Sequence, residues 1–355
     1  MQKKAHLRKL LQQQKVDGFL VTDLANLRYL TGFTGSSGFA VITSGSAVFV
    51  TDFRYQEQVR DEIRGWSIRI EHTERSEEIK KICEVLKIRM LGFEDHNITY
   101  GFYRKLLKNN IALKPLTNIV ESLRIIKTPK ELLSIKTAVR RAESAFRKML
   151  PSIKKGVTER QLALKLEELL KLEGCKKLPF EVIVASGFRS ALPHAKPTDR
   201  IIKKGDLIIF DWGGECDGYF SDMTRTILIK GPDISRQRKL YYEVLDAQKK
   251  AIAAVRPGIK ASEVDAGARD HIKQAGYDDF FGHGTGHGVG LAVHEKPVVS
   301  WRSTDTVEKD MIFTIEPGIY LPEFGGVRIE DMIAVRKDGA EVITSLPKKL
   351  KIIEV

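Results

Sequence analysis

The residues best suited to chemistry form an ordered series, Asp211, Asp222, His287, Glu316 and Glu330. Each sits in an apolar, strand-like or glycine-rich stretch, where a solvated surface charge would not ordinarily be placed. Four carboxylates and one imidazole make a hard, oxygen-rich donor set, suited to a pair of divalent ions such as manganese or cobalt rather than to a thiolate-type zinc site. A two-ion site of that kind makes a hydrolytic nucleophile from water.

Local geometry supports the first pair. Residues 205–214 form a short apolar run through Asp211, and residues 219–229 read as a strand rich in β-branched side chains. Between them lies Asp217-Gly218, the dipeptide preferred by a two-residue type I′ hairpin turn. That turn would set Asp222 opposite Gly213, and alternation would then put Asp211 on the same face. The two carboxylates become diagonal neighbours roughly 7–8 Å apart at the backbone, within reach of one ion. Bare, they would repel and one would tend to protonate, a conflict that a cation removes. The competing account is one surface aspartate and one aspartate beside a turn, and the hairpin alone does not decide between them.

The histidine-rich segment does. His283, His287 and His294 fall in the glycine-dense stretch 281–295, where glycine lets the backbone crowd a small site. The glycines lack the third position of a dinucleotide fingerprint, and no Walker A Gly-Lys occurs. His294-Glu295 does not open a metalloprotease helix, because Val298 stands at the second histidine's place and Pro297 would break the helix. Residues 311–320 give another apolar strand carrying Glu316, and residues 325–332 one more carrying Glu330. A faint internal echo links the approach to Asp211 with that to Glu316, and Ser221-Asp222-Met223 with Glu330-Asp331-Met332. Two similar halves, each offering two acids, would suit a site on a pseudo-twofold axis. The echo taken alone favours Asp331 over Glu330.

The elements that must hold these residues can be read in outline. A chain of 355 residues with 42% hydrophobic composition favours two domains with ample cores. A helix at about 2–15, a strand around 17–22, a hairpin over 38–51 and helical patterns near 53–63, 75–87 and 100–109 suggest an α/β domain over 1–124. Thr128-Pro129 then starts a long helix, 129–149, with later helices expected at 235–255 and 261–275. Strands with intervening helix pairs fit an α+β catalytic domain over 125–355. Cys83, Cys175 and Cys216 are too few and scattered for a disulfide framework or zinc cluster. The formal net charge of +13 is spread through helices among acids, with no recognised nucleic-acid motif, and reads as a solvated surface. No signal peptide or membrane-spanning run is recognised, so a cytoplasmic protein is expected.

With these motifs in view, the chain resembles the pita-bread metallopeptidases, which include methionine aminopeptidase, aminopeptidase P and prolidase, and it looks closest to the Xaa-Pro branch. FDWGGECDGYFSDMTRT, HGTGHGVGLAVHE, TIEPGIY and GGVRIED match in order and separation, and the resemblance covers essentially the whole chain. It implies a pita-bread catalytic domain preceded by a smaller creatinase/prolidase-type α/β domain that overhangs the active site, often from the neighbouring subunit of a homodimer. By residue-wise carry-over, Asp211 would chelate one metal, Asp222 and Glu330 would bridge both, and His287 with Glu316 would complete the second. His194 matches a substrate-binding histidine, and His294 one that polarises the scissile carbonyl. Glu316 is the implied proton carrier; Arg328 would orient a ligand carboxylate from behind, and His283 lies in an adjoining loop without being a ligand. Two divalent ions per chain are implied, manganese first, with cobalt or zinc as alternatives.

The activity so implied is that of a metal-dependent Xaa-Pro aminopeptidase acting through a metal-bridging hydroxide on peptides with proline second. The alternative is an Xaa-Pro dipeptidase. A metal-free or inactive binding relative would have lost ligands that are all present here, and a methionine aminopeptidase would lack the first 124 residues. Neither nucleic-acid nor membrane partners are expected.

Overall fold

The computed structural model describes residues 2–355. The chain divides into two compact units, Met1–Arg124 and Ile125–Val355.

In the first unit six strands form one mixed sheet, in the order Ser67–Ile70, Ala47–Thr51, Phe39–Thr43, Gly18–Val21, Met90–Glu94, Ala112–Leu116. The hairpin Phe39–Thr43/Ala47–Thr51 is antiparallel, whereas Gly18–Val21 runs parallel to Met90–Glu94. Alternation divides its apolar residues between two cores: Phe19, Val21 and Ile42 face one side with Leu7 and Leu27. Leu20, Phe39 and Val41 face the other with Ile79 and Ile82. Both faces are thus covered by helices, as an α/β layer arrangement requires.

The second unit is built around two larger sheets, each with a helix pair, together with two two-stranded sheets. The helix Pro129–Met149 starts where the sequence places it: Thr128 and Glu131 form a reciprocal capping box, with Pro129 in the first turn. With Glu159–Leu172 it packs on a four-stranded sheet ordered Lys351–Ile353, Met223–Ile229, Leu207–Trp212, Ile183–Ser186. Trp212 stacks on Phe146 with centroids 4.2 Å apart, and its indole N–H donates to Ala142 O at 3.0 Å. Each such buried large apolar side chain contributes about 1.5–3 kcal/mol relative to exposure. The second pair, Ser235–Ala254 and Ala261–Gln274, packs on a five-stranded sheet ordered Glu295–Val299, Gly286–Gly288, Ile312–Ile315, Asp331–Arg336, Gly339–Val342. Sheets and helices are therefore mixed but segregated by layer, an α+β pita-bread unit. No helix among the described residues is long and apolar enough to cross a membrane.

The strands break where the sequence pattern runs on. Residues 219–229 form Tyr219–Phe220 and Met223–Ile229, with Asp222 in the gap. Residues 311–320 form Ile312–Ile315 and Gly318–Leu321, with Glu316 between them, and Glu330 likewise separates Gly325–Arg328 from Asp331–Arg336. At each gap the backbone leaves one partner strand for another, which a continuous apolar run does not reveal.

Candidate metal centre

Asp211 lies within the strand Leu207–Trp212. Its neighbours Phe210 and Trp212 point into the core against the first helix pair, so Asp211 faces the opposite side. Asp217 and Gly218 both have positive φ, 50° and 75°, as a type I′ turn demands. The register Tyr219↔Cys216 and Thr224↔Asp211 sets Asp222 across from Gly213. His287 sits in the middle of the short strand Gly286–Gly288. A Cβ at Gly286 would collide with Thr314 O and one at Gly288 with Lys296 O, so only glycine lets the two flanking strands close on this imidazole.

All nine residues singled out from the sequence line one cleft of about 550 Å³: Asp211, Asp222, His287, Glu316 and Glu330 with His194, His283, His294 and Arg328. Donor atoms of Asp222, His287 and Glu330 all lie within 4.8 Å of one another. His287 Nε2 is 3.3 Å from Glu316 Oε1 and 3.6 Å from Asp222 Oδ2. Its Nδ1 lies 3.1 Å from Gly288 O, and since a carbonyl only accepts, Nδ1 carries a proton; Nε2 faces the acids, donating to Glu316 when protonated and open to a metal ion once that proton is lost.

The surroundings fix the carboxylates from behind. Arg328, almost fully buried, donates NH2 to Asp211 Oδ2 at 2.6 Å and NH1 to Pro193 O and the Tyr320 hydroxyl, both at 3.1 Å. The Thr224 hydroxyl donates to Glu330 Oε2 at 2.8 Å, and that of Thr314 to Glu316 Oε1 at 3.0 Å. His283 donates through Nδ1 to Gly284 O, leaving Nε2 to accept from Tyr320 at 2.8 Å. The His294 ring meets His287 edge-on with centroids 4.4 Å apart. His194 is exposed at the cleft wall. Asp331, the residue favoured by the internal echo, points away: its carboxylate meets Arg225 at 2.7 Å and Lys348 at 2.6 Å.

This is a strained collection of charge. Burial, compounded by Glu330 and Asp211, pushes Asp222 well above the usual carboxylate range. Burial with Glu316 and Asp211 does the same to Glu330, and burial raises Asp211 against the pull of Arg328. Burial also opposes ionisation of Glu316, but the hydrogen bond and charge of His287 hold it down to about 2. Burial, helped by His287, lowers His294. Asp211 Oδ1 and Glu330 Oε1 are buried without a hydrogen-bond partner among the described residues. Buried oxygens cost about 1–3 kcal/mol when left unpaired, and more when charged. Crowded acids, two orphaned oxygens and an imidazole nitrogen aimed at them fit divalent metal ions of the oxygen-preferring kind.

The sequence reading missed Thr224, Thr314 and Tyr320, and the cleft residues Phe180, Lys196 and Trp301. Thr224 and Thr314 had a signal, since each stands two residues from an acid and so on the same strand face.

The fold and this centre together define a metallopeptidase. The sequence matches the model of metallopeptidase family M24 over residues 134–337 and that of the Creatinase/Prolidase N-terminal domain over residues 3–126. It is 43% identical over 350 residues to an uncharacterised peptidase, YqhT, of Bacillus subtilis, covering 98% of this chain and 99% of that one. It is similar in structure to an Xaa-Pro dipeptidase from Bacillus anthracis, with a TM-score of 0.97, 40% identity and 99% of both chains covered. An X-Pro aminopeptidase from Thermotoga maritima superimposes with a TM-score of 0.90 at 32% identity, covering 97% of this chain and 100% of that one. The chain belongs to metallopeptidase family M24.

Proposed function

We propose that this protein is an Xaa-Pro exopeptidase, releasing the first residue of peptides that carry proline second. The observation that carries the reading is the convergence of four acids, Asp222 and Glu330 buried and Asp211 and Glu316 half-buried, with the Nε2 of His287 on one cleft, two acid oxygens being left unpaired among the described residues. Asp211, Asp222, His287, Glu316 and Glu330 would hold the two ions. The oxygen-rich set favours manganese. Bound there, the ions supply a water of lowered pKa as nucleophile.

The chain's own groups do the rest. Glu316 accepts the attacking water's proton and passes it to the leaving nitrogen, a role typically worth about 10²–10⁴-fold. His294 stands beside His287 and donates to the developing oxyanion, while His194 contacts the substrate. Arg328 fixes Asp211 through its 2.6 Å contact and never meets the reacting atoms. The apolar lining of Phe180, Val298 and Trp301 suits proline and the residues beyond it, which favours the aminopeptidase reading. Arg302 and Lys196 in the same lining favour a second reading, an Xaa-Pro dipeptidase, because either cation could pair with a free carboxylate next to proline. A homodimer belongs to the same proposal.

Chelation followed by a peptide ladder tests it. Metal-free protein should lose hydrolysis of Ala-Pro peptides, manganese should restore it, and peptides with alanine second should resist cleavage. Full activity with metal content confirmed near zero would overturn the proposal.

A further inference from the structure

A second concavity, of about 330 Å³, lies where the strand Met223–Ile229 and residues 346–351 meet the helix Pro129–Met149. It shares no lining residue with the metal cleft. Its walls have two characters. Phe146, Leu150, Ile227, Tyr241, Leu346 and Leu350 form an apolar interior, whereas Arg147, Arg225, Lys349 and Lys351 are the charged lining residues among those described. Every charge that lines it is positive.

The cations are unequally committed. Arg147 pairs with Glu143 at 3.0 Å. Lys349 and Lys351 are exposed and have no ion-pair partner among the described residues. Arg225 is 4% exposed. Its NH1 donates to Thr224 O and Glu330 O, and its NH2 to Asp331 Oδ1 and Leu346 O. Its Nε, also buried, has no hydrogen-bond partner among the described residues. A buried N–H without an acceptor costs folding free energy. An acceptor oxygen brought by a ligand would recover that cost, and the two free lysines would attract the same anion.

We propose that this pocket binds a small organic carboxylate, with its apolar body against Phe146, Ile227 and Leu346 and its head shared by Arg225 Nε, Lys349 and Lys351. A hydrophilic anion would gain nothing from the apolar interior, and a neutral apolar molecule would leave Arg225 Nε unpaired. The inference goes beyond the peptidase reading and does not depend on it.

The test is calorimetric titration of 4-phenylbutyrate into the full chain after chelation, so that the metal site plays no part. The neutral 4-phenylbutyramide and the double variant Lys349→Glu/Lys351→Glu are titrated alongside, the variant's fold being checked by thermal unfolding. Arg225 is left intact because it also holds the Glu330 carbonyl and Asp331. One site per chain is expected for the acid, with binding at least tenfold weaker for the amide and for the double variant. No saturable binding of the acid, or equal affinity in the folded double variant, would overturn the proposal; equal affinity is also the result that binding in the metal cleft would give.

Discussion

Glu330 and Asp331 are adjacent in the chain, yet their carboxylates occupy opposite environments. Glu330 shares donor space with Asp222 and His287 and keeps one oxygen unpaired. Asp331 is saturated, taking hydrogen bonds from Arg225 at 2.7 Å, Thr344 at 2.6 Å and Gln248 at 3.0 Å, with Lys348 2.6 Å away. Successive residues of an extended chain point to opposite faces, and here one face is the cleft and the other a closed ionic network.

Glu330→Gln should therefore abolish most metal binding and turnover while the metal-free protein unfolds at no lower a temperature. Asp331→Asn should do the reverse. It leaves Arg225 and Lys348 facing a neutral group, a loss of the kind that costs about 3–5 kcal/mol when a buried pair is broken. Metal titration and thermal unfolding of the two variants check this, and the opposite ranking would mean the faces are exchanged.

The two histidines whose rings meet at 4.4 Å should separate in the same way. His287→Ala removes the Nε2 lone pair and should lower bound metal. His294→Ala should retain metal but lose turnover by about 10²–10³-fold, the usual cost of one oxyanion donor. Equal loss of metal in both would remove the distinction between them.

Arg328→Lys tests the support behind Asp211. One ammonium cannot reproduce a guanidinium that reaches Asp211, Tyr320, Thr224 and the Pro193 carbonyl together. Metal affinity or activity should fall by about 10–100-fold, as for outer partners of metal ligands generally. Isothermal titration with manganese would read it, and unchanged affinity together with unchanged turnover would show that Asp211 needs no such support.

Much of this centre is written in short-range patterns. The Asp217-Gly218 turn and alternation along one hairpin suffice to bring Asp211 and Asp222 together, because both rules act over a dozen residues. The choice between Glu330 and Asp331 is different. It is made by Arg225 and Lys348, one far upstream and one downstream, and neither leaves a mark on the local pattern. The breaks at Asp222, Glu316 and Glu330 were equally hidden, since hydrophobicity continues through them while the hydrogen-bonding partner changes. The cleft residues Phe180 and Trp301 come from separate segments and acquire meaning only when the fold assembles them.

Substrate length is the remaining question the cleft poses. A dipeptidase must neutralise a carboxylate directly after proline, and such recognition calls for an arginine or lysine. Val298, which follows Pro297 and lines the cleft, offers no charge. Arg302 lines it too, but its guanidinium lies over the Trp301 ring, 5.4 Å from the centroid, a position that suits a side chain braced on the wall. We therefore expect kcat/KM for Ala-Pro-Ala and longer peptides to equal or exceed that for Ala-Pro. Arg302→Ala should then alter tripeptide cleavage little. If the dipeptide is instead preferred by tenfold or more, about 1.4 kcal/mol of transition-state binding, and Arg302→Ala erases that preference while sparing the tripeptide, the carboxylate is being read by Arg302 and the enzyme is a dipeptidase.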